Sequence, residues 1–180
     1  MNVLQILVTG GTLDKAYHEL TGELYFPETH LPQMLKEARL TRTFDLKVLM
    51  QKDSLEMTLA DREMTLQACI DSPSEQILIT HGTDTMGETA DFLSQHRAAL
   101  TDKTIVLTGA MRPYSFGRSD ALFNLGTACG FLAQDNQTKG IFIAMNGQIF
   151  EAGKVQKNRQ KGIFERPLPS RTGDSEHFSR

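Results

Sequence analysis

The sequence predicts an α/β fold: one domain on a mostly parallel, Rossmann-like sheet flanked by helices, with a terminal β-hairpin. Three observations carry this. Five short runs are almost continuously apolar rather than alternating, the pattern of strands covered on both faces. Stretches of helical periodicity lie between them. The length of 180 residues, 39% of them hydrophobic, suits a single domain with a sizeable core.

The elements follow in order. Val3–Thr9 is the first apolar run, and it ends in Thr9-Gly10-Gly11-Thr12. A helix is expected over Leu31–Leu40, after Thr29, and a strand over Phe44–Met50. Leu59–Asp71 reads as a helix, with Thr58 and Asp61 as its capping signal. Gln76–Thr80 is a strand, and a helix over Met86–His96 follows "GTDT". Thr104–Thr108 is a strand, and Ser119–Ala133 a helix with Leu122, Leu125, Cys129 and Leu132 on one stripe and Ser119 as N-cap. Gly140–Met145 is the last strand of the sheet. "GQIFEAGKVQK" then reads as a hairpin turning around Glu151–Gly153. The pattern places the domain over 1–160 and a polar, flexible tail over 161–180. No internal repeat or second domain is evident.

Composition excludes several functions. The net charge of −3, with no Lys/Arg run, leaves no electrostatic footprint for nucleic acid. No stretch is long enough to span a bilayer, and Met1–Thr9 is too short for a secretory signal. Cys69 and Cys129 sit far apart in apolar helical settings and read as core thiols in a reducing compartment. A cytoplasmic protein is expected. The histidines, His18, His30, His81, His96 and His177, show no ligand spacing with Cys or Glu, so no metal cluster is implied.

Ligands of parallel α/β sheets bind beyond the carboxyl ends of the strands. The first is followed by Gly10-Gly11-Thr12, the second by Gln51-Lys52-Asp53-Ser54, the third by His81-Gly82-Thr83-Asp84-Thr85 and the fourth by Gly109-Ala110-Met111-Arg112. Each piece alone has a plain reading. Gly10-Gly11 could be a tight turn; it is neither the dinucleotide fingerprint nor a P-loop. Thr83 and Asp84 could cap the next helix. Asp53-Ser54 could be an ordinary turn, and a lone Lys157 would usually be solvated. Together they offer two threonines beside an aspartate, with a lysine downstream. A threonine hydroxyl needs a base to act as a nucleophile, and a lysine amine oriented by a carboxylate can supply one. Backbone N–H groups of the Gly82–Thr83 turn could stabilise an oxyanion. The chemistry that suits this set is acyl transfer, most simply amide hydrolysis.

"TGGTLDK", "ITHGTDTMGETADFL" and "LTGAMRP", with "FNL" downstream, resemble the bacterial-type L-asparaginases over roughly Val3 to Lys157. The resemblance implies hydrolysis of L-asparagine to L-aspartate and ammonia, without a cofactor; hydrolysis of another amide (glutamine or an aminoacyl amide) and a catalytically weak amino-acid-binding module are the alternatives. It implies Thr12 as the nucleophile and Tyr17 as a lid tyrosine bonded to it, with Tyr25 the rival for that role. It implies Thr83, Asp84 and Lys157 as a second triad, with Lys157 taken from a match to the family's Met-Asn hairpin. Ser54 would contact the substrate's α-carboxylate, Asp84 its α-ammonium and the Ala110 carbonyl its amide. Gly11, Asp53, Leu55 and Gly82 would line the same pocket. Leu55 stands where the family usually has Gln. The family also carries a second, C-terminal domain, whose glutamate completes a neighbour's site; this chain is expected to be a short member without it. A homo-oligomer, dimer or tetramer, is implied.

Overall fold

The computed structural model describes residues 3–134 and 138–167. Ten strands are present among them: β1 (Leu4–Gly10), β2 (Ala16–His18), β3 (Glu23–Tyr25), β4 (Phe44–Lys52), β5 (Gln76–Thr80), β6 (Thr104–Thr108), β7 (Gly140–Met145), β8 (Gln148–Glu151), β9 (Gln156–Asn158) and β10 (Ile163–Glu165). The helices are α1 (Leu31–Glu37), α2 (Leu59–Asp71), α3 (Met86–Gln95) and α4 (Ala121–Leu132). The main sheet has the order β4-β1-β5-β6-β7-β8. Its pairs are parallel except β7–β8. This is the expected α/β sheet.

Alternate residues of the buried strands serve opposite faces. Leu4, Ile6, Val8, Leu78, Val106 and Phe142 pack with Leu31, Met34, Leu125 and Leu132 of α1 and α4. Leu7, Ile77, Ile79, Ile105, Leu107 and Ile143 pack with Cys69, Met86, Ala90 and Leu93 of α2 and α3. Burial on both faces explains the continuous apolar runs, since neither parity may be polar.

Four expectations are corrected. The second strand lies at the sheet edge, and Phe44 and Val48 are exposed, so it is not covered on both faces. Leu122 lies off the buried stripe of α4, whose inward side chains are Ala121, Asn124, Leu125, Ala128 and Leu132. The terminal hairpin turns at Asn146-Gly147, not Glu151–Gly153. Both turn residues have positive φ, 55° and 72°, as an Asn-Gly type I′ turn requires. Finally, the tail boundary at residue 161 cuts a real element. β9 and β10 form an antiparallel ribbon in which Phe164 is buried. Residues 168–180 of the expected tail lie outside the described residues.

The capping box of α2 forms as expected. Thr58 Oγ1 accepts from Asp61 N–H, and the Asp61 carboxylate accepts from Thr58 N–H at 2.8 Å. Lys52 Nζ, at the end of β4, donates to both Asp61 oxygens at 2.8 and 2.9 Å. The lysine bonds first, and the Thr58 N–H second, hold the Asp61 carboxyl down at about 2. A depressed folded-state pKa gives stability that is present above the ordinary value of 3.8 and lost as pH falls through about 2. Lys52 is partly exposed, so screening trims the effect. Asp61→Asn is expected to cost about 1 kcal/mol at neutral pH, with the gap to the unmutated chain closing by about pH 2. Urea unfolding across that range checks it; a gap that persists at pH 2 would assign the loss to the cap geometry instead of the charge.

Candidate active site

Sheet order reverses direction between β1 and β5: the chain leaves β1 for β4 on one side, then builds β5 to β8 on the other. Such a switch point opens a crevice where successive loops diverge. The loops that diverge here begin Gly11-Thr12 and Gly82-Thr83.

Glycines bring these strand ends together. A Cβ on Gly11 would lie 2.3 Å from Gly82 N, and one on Gly10 would lie 2.5 Å from Lys52 N. A Cβ on Gly82 would lie 2.6 Å from Ser54 Oγ. The paired glycines at the end of β1 therefore serve contact between neighbouring strand ends, which seats Thr12 beside Thr83 and Ser54. Gly11 has φ 85°, ψ −179°, a conformation essentially reserved for glycine.

Thr12 opens a 3-10 turn, Thr12–Asp14, and is half-buried. Its hydroxyl makes no hydrogen bond among the described residues. The turn is pinned by Asp14, which is fully buried and accepts from Thr29 Oγ1 and His30 N–H, each at 2.9 Å. Burial raises the Asp14 pKa against the opposing pull of those bonds. Sequence reading assigned Asp14 no role, because its partners lie 15 and 16 residues away.

Thr83, Asp84 and Lys157 are brought together. Lys157 Nζ lies 2.8 Å from Thr83 Oγ1 and 3.0 Å from Asp84 Oδ1. Thr83 is only 4% exposed. Lys157 sits on β9 directly opposite Phe164 of β10, and cross-strand partners share a face. The buried Phe164 ring thus turns Lys157 inward. The ribbon is itself positioned by two asparagines. Asn124 Nδ2 donates to Gly109 O at 3.0 Å, and its Oδ1 accepts from Asn146 N–H at 3.0 Å. Asn146 Oδ1 accepts from Phe164 N–H at 2.7 Å. Asn124 belongs to "FNL" and Asn146 to the I′ turn, signals visible in sequence without their partners.

His81 is fully buried, and desolvation pushes its pKa down to about 4, so the ring is neutral. Its Nδ1 lies 2.8 Å from Gly82 O. Peptide planarity then points the Thr83 N–H the opposite way. That N–H and the Thr12 N–H have no acceptor among the described residues. They are the natural donors for an oxyanion.

The remaining expected residues divide. Asp53 caps the 3-10 turn Ser54–Glu56 through the Leu55 N–H and pairs with Lys15. Burial works against its charge, but Lys15, the Leu55 N–H and the nearby charge of Lys157 prevail and lower its pKa. Ser54 is buried against Gly82, and its carbonyl accepts from Thr85 Oγ1 at 2.8 Å. Leu55 is exposed, so it is not a core leucine. Ala110 is fully buried just past β6. Tyr17 makes no hydrogen bond to Thr12 among the described residues. β2 and β3 form a two-stranded ribbon that the sequence reading missed; Tyr17 pairs with Leu24, and Tyr25 with Ala16, on opposite faces. Tyr17 is half exposed, and its hydroxyl lies 3.7 Å from the position of a Cβ on Gly22, at the ribbon tip.

Among the described residues no three His, Cys, Asp or Glu side chains stand close enough to hold a metal, and no helix is long and apolar enough to cross a membrane.

A glutaminase-asparaginase of Acinetobacter glutaminasificans is 34% identical over 167 residues, covering 87% of this chain and 50% of that protein. A component of the glutamyl-tRNA(Gln) amidotransferase of Methanococcus maripaludis is 31% identical over 177 residues, covering 96% of this chain and 41% of that protein. Among solved structures, the thermostable L-asparaginase from Thermococcus kodakarensis superposes with a TM-score of 0.75 at 28% identity, covering 91% of this chain and 50% of that one. A probable cytoplasmic L-asparaginase from Campylobacter jejuni gives 0.76 at 26% identity, with 93% and 53% covered. The chain spans about half the length of these relatives. The model of the family described as Asparaginase, N-terminal, matches residues 3–165, and with the switch-point threonines in place this chain belongs to the asparaginase family.

Proposed function

We propose that the chain hydrolyses the side-chain amide of L-asparagine to L-aspartate and ammonia. The observation that carries this is Lys157 Nζ within hydrogen-bond distance of both Thr83 Oγ1 and Asp84, beside the open hydroxyl of Thr12. Thr12 is the nucleophile because its hydroxyl is unbonded and accessible, whereas that of Thr83 is buried and engaged. Thr12 Oγ1 adds to the amide carbon. The oxyanion is held by the free N–H groups of Thr12 and Thr83. Collapse breaks the C–N bond, the threonine proton leaves with the nitrogen as ammonia, and an ester remains on Thr12. A water then attacks the ester. Lys157, as the free amine, takes one water proton through Thr83, the other water proton restores the Thr12 hydroxyl, and the product leaves as the carboxylate. The printed names of the relatives, asparaginases and glutaminase-asparaginases, support this reading.

A second reading places the nucleophile at Thr83, because the base sits on that hydroxyl at 2.8 Å. Quenching during turnover and locating the acyl adduct by mass spectrometry separates the two. An adduct on Thr12, and loss of turnover by about 100-fold or more in Thr12→Ala, is the expected result. Near-normal turnover in Thr12→Ala would overturn the assignment. A homo-oligomer and a cytoplasmic location are proposed alongside; the free thiols of Cys69 and Cys129 and the named cytoplasmic neighbour support the latter.

A further inference from the structure

We propose that the outer edge of β4 pairs with the same edge of a second copy of this chain, antiparallel and centred on Leu46, so that two sheets join into one. The inference rests on the homo-oligomer proposed above and names the surface that would form it.

β4 is the terminal strand of the main sheet, and its outer side pairs with no strand among the described residues. Native sheet edges are usually protected by a proline, a bulge or an isolated lysine. The stretch Phe44-Asp45-Leu46-Lys47-Val48 holds no proline. Its pairing with β1 is regular from Leu4 to Val8, and the register shifts only beyond Val8. Phe44, Asp45, Lys47 and Val48 are exposed, and Leu46 is half-buried. Lys47 would protect the edge if it stood alone, but Asp45 lies two residues earlier on the same face.

The direction of the backbone groups fixes which residues can pair. Leu4 N–H donates to Thr43 O at 3.0 Å, and Leu4 stands opposite Phe44. In a parallel ladder of that phase, Asp45 and Lys47 turn their peptide groups toward β1. Phe44, Leu46 and Val48 therefore turn N–H and C=O outward. In an antiparallel pair centred on Leu46, Phe44 exchanges both bonds with Val48 of the second copy, and Leu46 with its own counterpart. The positions between are non-hydrogen-bonded pairs, where Cα atoms come closest, about 4.5 Å apart. There Asp45 meets Lys47 of the second copy, and Lys47 meets its Asp45.

Charge selects this register. Centring on Asp45 would set two aspartates opposite each other, and centring on Lys47 two lysines; like charges directly opposite destabilise a ladder. Centring on Phe44 or Val48 leaves both charges unmatched. Asp45 Oδ2 accepts from Gln5 Nε2 at 2.9 Å, which holds the carboxylate in place and leaves its other oxygen open among the described residues. Phe44, Leu46 and Val48 lie on the opposite face, where Leu46 packs against the core under α1 and α4. With their counterparts they make one apolar row across the joint. The patch is self-complementary, as a two-fold interface must be. It occupies the N-terminal half of β4, away from Asp53 and Ser54 at the crevice.

Sedimentation equilibrium of the full chain over about 10–500 µM, the range for a small interface of the weak class, should show reversible self-association. Lys47→Asp turns both cross-strand pairs into Asp–Asp and should weaken association about 30-fold. Asp45→Lys should do the same by opposing two lysines. An equimolar mixture of these two variants should associate where neither does alone, because every opposing pair is again of unlike sign. Val48→Pro tests the backbone. It removes an outward N–H that β1 does not use, so association should weaken by a similar factor while the melting temperature moves little. A chain that stays monomeric at the highest concentration overturns both the contact and the homo-oligomer. An oligomer that these variants leave intact, or single variants that do not recover on mixing, overturns the contact and leaves the homo-oligomer standing. Ammonia release on the same samples judges the hydrolase reading separately: its absence beside the expected association pattern removes that reading alone.

Discussion

Lys157→Met should lower ammonia release by about 1,000-fold, the upper part of the range for a lost general base. Lys154→Met and Lys161→Met should each stay within about 3-fold of the unmutated chain, as surface changes away from the chemistry do. The three lysines lie within eight residues of one another, so the contrast tests register as well as chemistry. Lys157 faces inward because its cross-strand partner is the buried Phe164. Lys154 pairs with Glu151 and Lys161 with Glu165, both in solvent. Met matches the lysine stem in length and apolar character, so the packing of the ribbon is kept while the nitrogen is lost. The melting temperature should move little, and Arg159 still faces Asp84. Activity within about 10-fold of normal in Lys157→Met would remove the lysine from the mechanism. Loss in Lys154→Met in its place would shift the base by three positions and undo the ribbon register.

The sequence made the sheet legible because burial on both faces leaves β1, β5, β6 and β7 largely apolar on both parities, without alternation. It misjudged β4, whose apolar residues look the same whether a strand lies inside a sheet or at its edge. The switch-point threonines were legible through their glycines, and Gly11 is where the backbone of β1 meets that of Gly82. The β2–β3 ribbon was not legible, since three-residue strands carry too little pattern to register. Phe164 was hidden for a related reason, and Lys157 was reached only through the resemblance. In a polar stretch a single aromatic reads as incidental until a partner strand shows which face it shares. The Asn124–Asn146–Phe164 relay spans 40 residues of chain, and hydrogen bonds over that separation leave no local signal. Arg159 is the extreme case: its partner Asp84 is 75 residues away and its own neighbourhood reads as solvated surface.

Gly11→Ala should destabilise the chain by about 3 kcal/mol or more, from overpacking and from backbone strain together. The new methyl would sit 2.3 Å from Gly82 N and 2.4 Å from Gly82 Cα. Both are backbone atoms, so no side chain can swing aside. The backbone must also hold φ 85°, ψ −179°, which an L-residue with a Cβ resists. Relief requires β1 and β5 to part at their ends. Turnover should therefore fall further than stability alone would dictate, because parting those ends moves Thr12 away from Thr83. Misplacement by about 1 Å can cost on the order of 100-fold in rate. Gly126→Ala is the matched control. It lies mid-way along α4 on an exposed face, with nothing within 4 Å of the added methyl. There the same change should stabilise by about 0.5–1 kcal/mol, by restricting the unfolded chain. Urea unfolding of the two variants, with ammonia release measured on the folded fraction, reads both effects. If Gly11→Ala is as stable and as active as Gly126→Ala, the two strand ends do not touch, and the seating of Thr12 against Thr83 that the proposed chemistry needs would have no structural basis.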